Sequence, residues 1–155
     1  MVVVMIIGII VAIAMPNLIL ALERAKQKRT MSDMRNIATA WESRNVEAGR
    51  YNGAGAQVPG VTNVVDMEAL TTALSPTYIK VFPRNDGWNH PFELFTSQAW
   101  GNVAPAAAYA IISPGRDGRF APEPTTGGTT NFDCDIVYSN GSFLAYPEGQ
   151  NTTTQ

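Results

Sequence analysis

Residues 1–22 are Val, Ile, Leu, Met or Ala at every position except Gly8, Pro16 and Asn17, with no charged side chain among them. At ~1.5 Å rise per residue they make a helix of roughly 33 Å, close to the thickness of a hydrocarbon core. The pattern then changes without a break. Residues 23–48 contain no Gly and no Pro, so the helix can continue. Met31, Met34, Ala38 and Trp41 recur at i, i+3, i+7 and i+10, and Ile37 widens that face. Arg24, Lys28, Asp33, Arg35, Glu42 and Arg44 occupy the other side, and Gly49 is a natural terminator. The prediction is one helix of ~48 residues, roughly 72 Å long, apolar all round in its first half and amphipathic in its second.

After Tyr51 the periodicity shortens. Residues 52–63 read as a loop, and residues 66–74 as a short helix capped by Asp66 or Asn63 and ended by Ser75-Pro76. Strands are predicted at about 92–95, 107–113, 136–139 and 142–146. Asp86-Gly87 marks a turn and Asn140-Gly141 a hairpin. The chain thus divides into an apolar stem (1–22), the amphipathic half of the same helix (23–49) and a loop-rich head (50–155). The expected class is α+β, a long N-terminal helix packed on a small antiparallel sheet of three or four strands.

Charge and composition narrow the function. The net charge of −2 gives no reason to expect a nucleic-acid partner. One cysteine and one histidine exclude an intrachain disulfide and multi-histidine or thiolate metal clusters. Cys134 with His90 is the one Cys–His combination, and two flanking aspartates make a poor setting for a reactive thiolate. No phosphate-cradling loop or serine elbow appears, so no enzyme and no cofactor is expected.

Three readings of the stem compete. Ala12-Ile13-Ala14 has the small-x-small form of a cleavage site, but the apolar run continues past it and no basic segment precedes it. A plain membrane anchor leaves the amphipathic continuation unexplained. The third reading, a helix that sits first in a membrane and then in a protein assembly, accounts for both halves. The cluster Glu23, Arg24, Lys26, Lys28, Arg29 follows the stem at once. Basic residues beside a span usually mark the cytoplasmic side, which runs against an exported head unless a basic segment lies upstream.

The residues MVVVMIIGIIVAIAMPNLILALERAKQKR resemble the N-terminal helix of type IV pilins and of the pseudopilins of type II secretion. Gly8, Pro16-Asn17 and the charged 23–26 stretch carry the likeness, and the amphipathic 31–52 segment extends it. Alignment through Gly8 and Pro16 places the family's glutamate two residues before Met1. The resemblance implies a homopolymeric helical filament with stems in its core. Gly8, Pro16, Ile6, Ile9, Ile13 and Leu18 are the expected core positions, and the stretch from Gly8 to Pro16 is expected to melt in the assembled filament. It also implies an inner-membrane pool, an assembly machinery as partner, and a methylated N-terminus.

In the head, the segment Asp86-Gly87-Trp88-Asn89-His90-Pro91-Phe92 resembles the D-x-W-G-N-P-[YF] motif of the major pseudopilins, with Asn89-His90 where that family has Gly-Asn. His90 then reads as a solvated turn residue. The loop 119–132 lies where those proteins bind calcium. Carried across, Asp117, Asp133 and Asp135 are the ligand candidates, since carboxylates suit a hard cation. Asn151-Thr-Thr is a glycosylation sequon, and Thr125 and Thr126 could take O-linked sugar. The head motifs lean towards the pseudopilins, whereas the Thr-rich loop and tail suit an exposed fibre. The expectation taken forward is an extracellular pilus-like filament, with the periplasmic pseudopilus of type II secretion as the alternative.

Overall fold

The structure, a computed structural model, describes residues 2–52, 64–120, 127–129 and 131–147. Helix α1 spans Val2–Ala48 without interruption, through Pro16. Pro16 has no N–H to donate, and the Asn17 side chain turns back to donate to the Ile13 carbonyl at 3.4 Å. Gly49 ends the helix at φ +68°, and its N–H donates to the Asn45 carbonyl at 2.8 Å. The single chain keeps the Gly8–Pro16 stretch helical. The melting expected there concerns the assembled filament.

The amphipathic half of α1 packs as its spacing predicts. Met34, Ile37, Ala38 and Trp41 are fully buried, together with Thr30 one turn earlier. They meet Leu70 and Leu74 of α2 (Met67–Leu74) and the inner face of the sheet, where Leu94, Tyr109, Ile111 and Ile136 point into the same core. Trp41 stacks at a tilt on Tyr109, with ring centroids 5.0 Å apart, and donates its indole N–H to the Tyr51 carbonyl at 2.8 Å. Tyr109 donates in turn to the Glu42 carboxylate. Burial, reinforced by that bond, pushes its hydroxyl well above the ordinary tyrosine range. Asp66 caps α2 by accepting from Ala69 N–H at 3.1 Å.

Among the described residues the sheet has five strands, not the three or four expected, and it is mixed. They are β1 (Glu93–Thr96), β2 (Tyr109–Ser113), β3 (Gly127–Thr129), β4 (Ile136–Ser139) and β5 (Ser142–Pro147), in spatial order β1-β2-β4-β5-β3. Three pairings are antiparallel and β3 runs parallel to β5, with Gly127 opposite Ala145. The sequence hid β3 because Gly-Gly-Thr has neither alternation nor a large side chain. The β4–β5 hairpin turns at Asn140 (φ +46°) and Gly141 (φ +87°), the two left-handed residues that an Asn-Gly turn supplies.

One anchor escaped the sequence reading. Asn52, predicted to open a loop, is fully buried. Its amide nitrogen lies within hydrogen-bonding distance of the carbonyls of Ala99, Asn102 and Ala104, and its oxygen accepts from Ala106 N–H at 3.0 Å. A single side chain thereby satisfies the backbone of the connection between β1 and β2.

Candidate functional site

Among the described residues, most of the exposed large hydrophobic side chains lie in the stem. Its 18-residue apolar window makes no buried contact with the rest of the protein, and α1 is long and apolar enough there to cross a membrane. Ile6, Ile9, Ile13 and Leu18 are each more than half exposed. A methyl added at Gly8 would meet no atom within 4 Å. Exposing large aliphatic side chains to water costs about 1.5–3 kcal/mol each, so this surface requires lipid or other apolar helices around it.

Where the stem ends, the head begins to hold it. Asp86 has a fully buried carboxylate. Oδ1 accepts from the N–H groups of Trp88 (2.9 Å) and His90 (2.8 Å), and Oδ2 from the Ser113 hydroxyl (2.8 Å). This folds residues 86–90 into a tight turn, with Asn89 left-handed at φ +72°. The turn lies directly on α1. Gly87 N–H donates to Thr30 Oγ1 at 2.8 Å, and that hydroxyl donates to the Lys26 carbonyl at 3.0 Å. A Cβ on Gly87 would stand 2.3 Å from the Lys26 oxygen, so the approach requires glycine. Trp88 Nε1 donates to Glu23 Oε2 at 2.6 Å. Farther round the helix, the Gln27 amide donates to the Pro147 carbonyl at 2.6 Å and ties down the end of β5.

His90 is not the solvated turn residue expected. Its Nδ1 lies 2.9 Å from the Gly115 carbonyl, and Gly118 sits against its ring, so it links this turn to the next. In that second turn Arg116 grips Asp133 with two parallel bonds, Nε to Oδ1 at 2.7 Å and Nη2 to Oδ2 at 2.8 Å. The hydrogen bonds from Arg116 hold the Asp133 carboxyl below the ordinary carboxylate range.

The three aspartates proposed as calcium ligands are therefore placed differently from one another. Asp133 has both oxygens on Arg116. Asp117 is exposed and accepts from Arg119 N–H at 3.0 Å. Asp135 is buried at the foot of β4, where its charge, after burial itself, raises the carboxyl of Glu93 on β1. Among the described residues no three His, Cys, Asp or Glu side chains gather as a metal would need. A calcium ion on these three would have to take Asp133 from Arg116. Asn151, Thr125 and Thr126 lie outside the described residues.

The chain is similar to type II secretion system core protein G of Aeromonas hydrophila. The two are 26% identical over 133 residues, which cover 82% of this chain and 85% of that protein. The resemblance to the type II secretion pseudopilins, read first from the stem, thus extends over most of the chain. It backs the secretion alternative better than the extracellular pilus. No family model matches the chain, and no solved structure does.

Proposed function

We propose that this chain is the major pseudopilin of a type II secretion system, a structural subunit that leaves a membrane pool to build a short periplasmic filament. The observation that carries the reading is the division of labour along α1. One face of its second half is consumed by the head, while its first half is apolar all round and unburied. Such a stem is stable in lipid, or bundled with copies of itself, and in neither case does the head need to refold. Head-to-tail repetition of this contact gives an open helical filament. The likeness to a type II secretion core protein points to secretion rather than to surface adhesion.

Deletion of the gene, followed by assay of exported folded proteins and of fibres sheared from the cell surface, tests the proposal. Export should stop and return with the intact chain, but not with Ile9→Asp or Ile13→Asp, which place a carboxylate in the stem bundle. If export continues unchanged and sheared fibres contain the chain, it is a surface pilin instead.

A further inference from the structure

The charge of the chain is segregated along its length. Residues 23–35 hold five cations against two carboxylates, a net +3, while the whole chain carries −2, which leaves −5 for everything else. Four of those cations, Arg24, Lys26, Lys28 and Arg29, fall within one and a half turns of helix beginning two residues past the last apolar stem residue. By helical rise they stand ~3–11 Å beyond Leu22, at the depth of a phospholipid headgroup layer.

The chain itself does little to neutralise them. Lys26, Lys28 and Arg29 are exposed. Lys26 approaches Glu23 at 3.3 Å and Arg29 approaches Asp33 at 3.6 Å, and in both pairs the cation stays exposed while the carboxylate is largely covered. Among the described residues Lys28 pairs with no carboxylate, whereas Arg24 is half-buried, with its Nε enclosed and without a hydrogen-bond partner. Glu23, the one acidic residue at this level of the helix, already accepts the Trp88 indole. That bond brings an amphipathic aromatic ring to the same depth, and such rings settle at membrane interfaces.

We infer that residues 24–29, with Trp88 beside them, form a docking collar for anionic phospholipid headgroups in the leaflet that faces the head. The inference rests on the membrane pool in the proposed function and adds lipid selectivity to it. The same charge segregation sets orientation. An anionic surface attracts the collar and repels the acidic remainder of the head, so α1 stands near the membrane normal and the head stands away from the lipid.

The test is the lipid selectivity of the full chain reconstituted in bilayers of phosphatidylcholine containing a minor fraction of phosphatidylglycerol. Spin-labelled forms of the two lipids report which of them the protein immobilises. Anionic lipid should be preferred, by up to about five-fold per engaged cation, since each contributes about 1 kcal/mol near such a surface. The preference should fall towards one in 0.5 M salt and in Lys28→Gln/Arg29→Gln, whose side chains lie off the core. Equal association of the two lipids with a properly inserted chain overturns the collar and leaves the pseudopilin reading intact. Salt-sensitive self-association that is identical in pure phosphatidylcholine would assign the collar to a second copy and also overturn it. Failure to insert in either bilayer would overturn the membrane reading itself.

Discussion

Gly87→Ala should undock the D-G-W turn from α1. The added methyl would lie 2.3 Å from the Lys26 oxygen, 2.8 Å from its carbonyl carbon and 2.9 Å from its Cα. All three are backbone atoms of a packed helix and none can swing aside. The turn must retreat by roughly 1 Å or more to restore ordinary contact. Retreat stretches the Gly87 N–H bond to Thr30 and the Trp88 indole bond to Glu23. Overpacking of this kind costs about 1–3 kcal/mol. The two weakened hydrogen bonds, one to a charged acceptor, add about 1–3 kcal/mol more. A total loss of about 2–6 kcal/mol is expected, a large share of the about 5–15 kcal/mol that holds a typical domain. Urea unfolding of the full chain in detergent micelles, followed by near-ultraviolet circular dichroism, measures it as a lower midpoint at unchanged slope. Gly8→Ala is the matched control, because its methyl meets nothing within 4 Å, and it should leave the head's transition in place. A Gly87→Ala midpoint within about 0.5 kcal/mol of the parent would refute the reasoning.

Asn52→Ala removes contacts to three carbonyls and one N–H in a buried setting, and should cost about 3 kcal/mol or more in the same urea assay; a loss under about 1 kcal/mol would mean that water replaces the amide. Calcium is proposed for Asp117, Asp133 and Asp135 on the family resemblance, and here it must compete with Arg116 for Asp133. Calorimetry should therefore find tighter calcium binding in Arg116→Ala than in the parent; equal affinities refute the competition, and no heat from either at millimolar ion removes calcium from this loop. Asp133 has a depressed carboxyl, so the Arg116 pair stabilises the fold above the ordinary carboxylate value of about 3.9 and loses that contribution as pH falls through the lower folded value. The melting-temperature gap between the parent and Arg116→Ala should accordingly be constant from about pH 5 to 8 and close in stronger acid. A gap that persists when Asp133 is protonated would assign the arginine's effect to packing.

Elements specified by local chemistry were legible in the sequence. The length of α1, its buried face at Met34, Ile37, Ala38 and Trp41, its stop at Gly49, the Asp66 cap and the Asn140-Gly141 hairpin each follow from spacing or from one residue's backbone preference. What stayed hidden depends on partners distant in the chain. Strand β3 exists because β5 offers an edge, and Gly127-Gly128 carries no signal of its own. Asn52 reads as a loop residue until the carbonyls of 99–104 close round it. His90 reads as solvated until Gly115 arrives beside it from 25 residues away. The surroundings of the three aspartates were hidden for a similar reason. The family resemblance grouped Asp117, Asp133 and Asp135 round one loop, and it carried no sign that Arg116, one residue from Asp117, binds both oxygens of Asp133.

The unbroken run of α1 has a mechanical meaning. Between Pro16 and Gly49 the helix contains no residue that yields easily, and the head is fastened along that span at Glu23, Gln27, Thr30 and Trp41. Head and lower helix therefore move as one stiff body about 50 Å long. Gly8 and Pro16 are the weak links of the rod, and both lie in the stem. In the proposed filament the heads would act as rigid beads and the Gly8–Pro16 segments, if they melt as the family resemblance implies, as springs between them. Extension under load would then be taken up in the core of that filament, and its outer surface would keep its shape while it stretches.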